Sequence, residues 1–119
     1  MEGPTPKALV VDDDAALRML VRVNLELEGF AVREAETLDE AKQAVADSRP
    51  DVVLLDVHVG REDSAALLHE LRAGGIRVAV VSGSADVAEY RDLADGVLEK
   101  PFEPSSLIEL ARRLARVGA

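Results

Sequence analysis

The sequence contains no cysteine and no tryptophan, and its aromatic residues are one tyrosine and two phenylalanines. Without cysteine there is neither a disulfide framework nor a thiolate metal site, which fits a reducing cytoplasm. With so few aromatics, the core has to be built from Val, Leu and Ala, and a hydrophobic content of 48% supplies them. No apolar run approaches the ~20 residues that a bilayer-spanning helix needs, and Met1-Glu2-Gly3-Pro4 lacks the basic-then-apolar pattern of a secretory signal. Acidic residues outnumber basic ones 23 to 14, and the formal net charge is −9. Nucleic-acid backbones and anionic membrane surfaces attract cationic proteins, so neither is an expected partner. At 119 residues the chain has room for one globular, cytoplasmic domain. Residues 1–6, with two prolines and a glycine, read as a loose leader to a folded unit spanning 7–119.

Short apolar runs alternate with longer stretches of helical period. Ala8-Leu9-Val10-Val11 reads as a strand buried on both faces, and it stops at Asp12-Asp13-Asp14. A helix follows with Leu17, Leu20, Val21 and Leu25 inward, ended by Gly29. Phe30-Ala31-Val32 is a weaker second strand. Thr37 or Asp39 caps a helix that buries Leu38, Ala41 and Val45, and Pro50 ends it. Asp51 to Asp56 is a second strongly apolar strand that also finishes on a carboxylate. Ser64 to Arg72 gives a helix with Leu67, Leu68 and Leu71 inward, halted by Gly74-Gly75. Ile76 to Val81 is a strand, Asp86 to Leu93 a short polar helix and Gly96-Val97-Leu98 a brief strand. Pro104 opens a last helix with Leu107, Leu110, Ala111 and Leu114 inward. Five strand–helix alternations predict an open parallel sheet with helices on both faces.

In such sheets the ligand site lies beyond the carboxyl ends of the strands. Asp12, Asp13 and Asp14 follow the first strand, Asp56 the third, Ser82 the fourth and Lys100 the fifth. Clustered carboxylates repel, and a hard cation is their natural compensation. Oxygen ligands too few for a complete protein cage favour Mg²⁺, which keeps several waters. A Mg²⁺ beside a carboxylate, a lysine and a hydroxyl is suited to phosphoryl transfer. Asp14, by contrast, is placed to cap the first helix.

Val10-Val11-Asp12-Asp13-Asp14, Leu54-Leu55-Asp56, Val80-Val81-Ser82 and Lys100-Pro101-Phe102 together resemble the receiver domain of two-component response regulators, in order over almost the whole chain. The resemblance implies a flavodoxin-like, doubly wound (βα)5 sheet of order 2-1-3-4-5. It implies that Asp56 is the phosphoacceptor, with Lys100 and Ser82 acting on the phosphoryl group. Mg²⁺ would be held by Asp12, Asp13, Asp56 and the main-chain carbonyl of His58, by Asp13 directly and by Asp12 mostly through water. His58 and Ser84 would tune the lifetime of the aspartyl phosphate. The Lys100-Pro101 bond is commonly cis in the family. The implied partners are a histidine kinase or histidine phosphotransfer protein as donor and an unidentified downstream protein, and a homodimer is left open. Such a protein is a signalling phosphoprotein of a phosphorelay rather than an enzyme, with at most self-phosphorylation and autodephosphorylation.

Three departures from the family pattern stand out. Val97 replaces the usual Tyr, Phe or His three residues before the lysine, so the aromatic relay cannot operate. The segment from Ser82 to Lys100 is short by about one helical turn, which predicts a shortened fourth helix. The loop His58-Val59-Gly60-Arg61-Glu62-Asp63-Ser64 has Val-Gly in place of Met-Pro and Asp-Ser in place of Asp-Gly, and is expected to be looser. Two other functions compete. A phosphorylation-independent pseudo-receiver would fit Val97 and the short helix, but every acceptor residue is present. An Asp-nucleophile phosphatase of the haloacid dehalogenase kind needs an Asp-x-Asp pair after the first strand and a cap domain, which this sequence does not offer. His69 reads as an exposed helix residue, and Arg112, Arg113 and Arg116 as charges that complement the end of the last helix.

Overall fold

The computed structural model describes residues 4–83 and 87–115. Five strands, β1 (Lys7–Val11), β2 (Ala31–Ala35), β3 (Val52–Asp56), β4 (Arg77–Ser82) and β5 (Gly96–Glu99), alternate with five helices. The helices are α1 (Ala15–Leu27), α2 (Leu38–Asp47), α3 (Ala65–Ala73), α4 (Val87–Tyr90) and α5 (Pro104–Ala115). The strands form one parallel sheet in the order β2-β1-β3-β4-β5. This is the three-layer, doubly wound, flavodoxin-like arrangement expected from the sequence. Of the expected elements, the first three residues of the leader, Asp86 at the start of the fourth helix, and residues 116–119 lie outside the described residues.

The sheet divides the interior into two cores because successive strand side chains point to opposite faces. Leu9, Val11, Val53, Leu55, Val78 and Val80 meet Leu38, Ala41, Leu68, Leu71 and Tyr90 on the side of α2, α3 and α4. Ala8, Val10, Val52, Leu54, Ala79 and Val81 meet Leu25, Leu107, Leu110 and Leu114 on the side of α1 and α5. Burying a leucine as fully as Leu25 or Leu107 contributes about 1.5–3 kcal/mol, so each helix is held by the few side chains on its inner stripe.

Local signals explain most boundaries. Asp14 caps α1, its carboxylate accepting from the Ala16 and Leu17 N–H groups. Thr37, not Asp39, caps α2, and the Glu40 side chain accepts from the Glu36 N–H. Several expectations are corrected. Leu20 is 46% exposed, because Val21 and Leu25 define the inner stripe of α1 and Leu20 lies beside it. Together with Met19, Val23 and Leu27 it forms an apolar outer face on that helix. On α2 the third buried residue is Ala44, with Val45 at the margin. The second strand runs over Ala31–Ala35 rather than Phe30 to Val32. It is an edge strand, so its polar Arg33 and Glu34 are tolerated in pairing with β1 and concealed the strand in the sequence. Among the described residues the fourth helix is short, covering Val87–Tyr90.

The loop after β3 is also more ordered than its composition suggested. His58–Val59 and Glu62–Asp63 pair as a small antiparallel hairpin. Gly60, with φ +65°, takes the positive dihedral that two-residue hairpin turns favour, and Val59 is buried. The glycine therefore closes a turn here.

Ahead of β5, Asp95 extends the ladder with its side chain. Its N–H donates to the Val78 carbonyl at 2.9 Å while its Oδ2 accepts from the Val78 N–H at 2.8 Å. Its Oδ1 faces the guanidinium groups of Arg72 and Arg77 at 3.3 and 3.5 Å. Truncation would leave the buried Val78 N–H without an acceptor and the Arg72 and Arg77 guanidinium groups without their shared carboxylate. Asp95→Ala is expected to cost about 1–3 kcal/mol, read as a lower urea midpoint with an unchanged slope.

Candidate functional site

All of the predicted site residues that are described lie at the carboxyl rim of the sheet. β1 delivers Asp12 and Asp13, β3 ends on Asp56, β4 ends on Ser82, and Lys100 follows β5. The register sets their heights: Val11 lies opposite Leu55, Asp56 opposite Val81, and Ser82 opposite Glu99. Residues up to 88 positions apart in the chain are thus brought to one place.

Asp12 is the most constrained of them. Its N–H donates to the Ala35 carbonyl at 3.1 Å. Its own carbonyl accepts from the Arg18 guanidinium at 2.7 Å, and its Oδ1 accepts from the Asp14 N–H at 2.9 Å. Oδ2 is left to face the Lys100 ammonium at 3.5 Å. Arg18 is itself held by Glu34 at 3.0 Å, and Glu34 also receives Arg22 at 2.6 Å. The same Lys100 Nζ lies 3.4 Å from Asp56 Oδ2. These separations exceed those of strong charge-assisted hydrogen bonds, so the lysine sits between the two carboxylates as a shared counter-charge.

One oxygen from each of Asp12, Asp13 and Asp56 lies within 4.8 Å of the others. An octahedral Mg²⁺ with bonds of about 2.0–2.1 Å spaces its ligand oxygens about 3–4.2 Å apart, so the three acids are near enough to share such an ion, directly or through its waters, once they draw in around it. Asp14, engaged in capping, is not in the group. Three acids around one lysine leave an excess of negative charge, which is the setting that attracts a hard cation. Burial raises the Asp12 pKa from its ordinary 3.8, and the Asp56 charge raises it further. The Asp14 N–H and Lys100 act in the opposite direction without cancelling the rise.

Ser82 is 1% exposed, and its carbonyl accepts from the Lys100 N–H at 2.7 Å, tying the fourth and fifth strand ends together. The Lys100-Pro101 bond is cis. Val97 pairs with Val80 in the ladder, at the position where an aromatic is usual. His58 is exposed on the first hairpin strand, whereas Ser84 lies outside the described residues. His69 is exposed on α3. Arg112 and Arg113 occupy the last turn of α5, with Arg112 paired to Glu28, and Arg116 lies outside the described residues.

Sequence reasoning missed two supports. Arg18 lies on a helix of ordinary composition, and only its distance from Asp12 reveals that it holds that backbone. Ser64 is 1% exposed and donates its hydroxyl to the main-chain carbonyl of Asp56 at 2.5 Å. Its departure from the usual glycine was visible in the sequence, but its partner was not.

A five-stranded parallel sheet with acids, a buried hydroxyl and a lysine converging on one rim defines a flavodoxin-like α/β domain with a polar site at that rim. Residues 8–112 match the response regulator receiver domain family, and the chain belongs to it; it is a receiver domain of two-component signalling. It is 36% identical over 116 residues to the response regulator MprA of Mycobacterium sp. strain KMS, covering 92% of this chain and 50% of that protein. The chain thus spans about half the length of the curated relatives it matches. The crystal structure of the receiver domain of NtrX from Brucella abortus superposes with a TM-score of 0.87 at 33% identity, covering 93% of this chain and 99% of that one. A CheY-like receiver domain protein from Methanospirillum hungatei shares the fold with a TM-score of 0.85 at 24% identity, over 94% of each chain.

The raised pKa of Asp12 has a definite sign. A carboxyl whose folded pKa lies above its unfolded value weakens the fold once ionised in both states. The penalty is absent below about 3.8 and complete above the folded pKa. In the presence of a chelator, Asp12→Asn is therefore expected to melt at a higher temperature than the wild type near neutral pH. The difference should shrink as the pH is lowered toward 4, followed by thermal denaturation across that range.

Proposed function

We propose that residues 7–119 form the receiver unit of this protein, phosphorylated on Asp56 in a Mg²⁺-dependent reaction that alters its binding to a partner. The observation that carries this reading is the convergence of the Asp12, Asp13 and Asp56 carboxylates beside Lys100. Asp12, Asp13, Asp56 and the main-chain carbonyl of His58 would hold the ion. When bound, Mg²⁺ supplies charge neutralisation for the oxygens of the transferring phosphoryl group.

The rest follows from the side chains. The donor is a phosphohistidine on a histidine kinase or histidine phosphotransfer protein. A carboxylate oxygen of Asp56 attacks phosphorus, a P–O bond forms as the P–N bond breaks, and the leaving imidazole keeps the electron pair and is protonated. Lys100, already 3.4 Å from Asp56 Oδ2, pairs with a phosphoryl oxygen. The Ser82 hydroxyl, at the neighbouring strand end, donates to another and couples the phosphoryl group to the start of the α4 segment. His58 and Ser84 are the residues assigned to tune its lifetime. A modification shifts a surface equilibrium only by favouring one state over the other. With Val97 in place of an aromatic, that preference has to be expressed through Ser82 and the β4–α4 connection. The chain is thus a switch, with at most self-phosphorylation and autodephosphorylation as its chemistry.

Incubation with a small acyl phosphate and Mg²⁺ is expected to add one phosphoryl group to the wild-type protein by intact mass. None should be added to Asp56→Asn or in the presence of EDTA. Labelling of Asp56→Asn to the wild-type extent would sink the assignment. Ser82→Ala should still accept the phosphoryl group while losing most of the change in partner binding.

A further inference from the structure

Ser64 stands at the N-cap of α3, where a serine side chain ordinarily accepts from the helix's first free N–H groups. Here it makes no such bond. Asp63 takes over instead, its Oδ1 accepting from the Ala65 N–H at 2.7 Å. The Ser64 hydroxyl is turned inward, 1% exposed, to donate to the Asp56 carbonyl at 2.5 Å. The Ser64 N–H donates to the next carbonyl, that of Val57, at 2.9 Å.

The need for this donor follows from strand geometry. On a strand, the N–H and C=O of one residue point to the same neighbour, and those of the next residue to the opposite one. The Val57 N–H reaches the Val81 carbonyl on β4 at 3.2 Å, so the Asp56 carbonyl faces the β1 side. There the ladder has already ended, Val11 and Leu55 being its last partners, because the chain beyond Val11 departs to supply Asp12 and Asp13. A buried carbonyl without a donor is costly, and the Ser64 hydroxyl fills the gap that the acid pair creates.

We infer that Ser64 is a positioning residue for the phosphoacceptor. By gripping the carbonyls of Asp56 and Val57 it fixes the peptide between the Asp56 carboxylate and the main chain of His58. Both groups face the cation in the reading above, on which this inference rests. Without the hydroxyl, the Asp56 carbonyl loses its donor, the segment is held only on its Val57 side, by the Val81 carbonyl and the Ser64 N–H, and the Asp56 carboxylate is less firmly registered against Asp12 and Lys100.

The test is a calorimetric Mg²⁺ titration of the unphosphorylated wild type, Ser64→Ala and Ser64→Gly, each with a melting curve. Glycine suits the Ser64 backbone at φ −85° and ψ 0° and remains informative if the alanine variant folds poorly. Both variants are expected to bind Mg²⁺ about three- to tenfold more weakly, the worth of one ordinary hydrogen bond. At saturating Mg²⁺ they should also take up phosphoryl groups from an acyl phosphate more slowly. A merely structural role reduces the binding-competent fraction and leaves the dissociation constant in place; wild-type affinity in both variants, or a loss of stoichiometry alone, overturns the inference. Wild-type protein that binds Mg²⁺ but gains no phosphoryl mass defeats the phosphoacceptor reading, and the titration still decides the role of Ser64.

Discussion

The constraint on which the rest of this structure turns is the repulsion among three carboxylates gathered at one rim. Asp12, Asp13 and Asp56 approach within 4.8 Å of one another, and the single ammonium of Lys100 lies between two of them. Like charges disperse unless the backbone prevents it. Here the prevention is visible in detail: every polar main-chain atom of Asp12 and one of its carboxylate oxygens is committed elsewhere, while Ser64 secures the Asp56 carbonyl. The apolar sheet below supplies the rigidity that makes such an unfavourable gathering sustainable. Because Asp12 and the Asp56 main chain are already held, a cation entering the rim would have less left to order there, which is the benefit of preorganisation.

Much of the fold was legible in the sequence because buried parallel strands are nearly continuous apolar runs. Val52-Val53-Leu54-Leu55 and Ala8-Leu9-Val10-Val11 could hardly be anything else, and each ends on an acid. The edge strand Ala31–Ala35 was only half found, since an edge tolerates Arg33 and Glu34. Leu20 was misplaced because a helix of one chain may carry an apolar outer face as well as an inner one, and periodicity alone does not say which is covered. The hairpin after β3 was hidden because Gly60 reads as freedom in a sequence, and only the pairing partners reveal that it closes a turn.

The acidic site was equally legible, for a topological reason. Any residue directly following a parallel strand must lie at the same rim, so Asp12, Asp13, Asp56, Ser82 and Lys100 could be grouped from strand ends alone. What could not be read were the supports. Arg18 and Ser64 act through main-chain carbonyls, and a carbonyl leaves no trace in residue identity. Their roles depend on where the ladder runs out and where α1 crosses the chain, which are facts of three dimensions.

The separation of the interior into two cores has a further consequence. Side chains on one face of the sheet seldom touch those on the other, so changes on the two faces should be nearly independent in their effect on stability. Among the described residues, Tyr90 and Ala94 are what the segment around α4 contributes to its core, while the half built on α1 and α5 takes none of its cover from there. A fourth helix described over only Val87–Tyr90 is therefore compatible with an intact foundation beneath the acidic rim, and the surface around α4 is free to vary while the rim stays anchored.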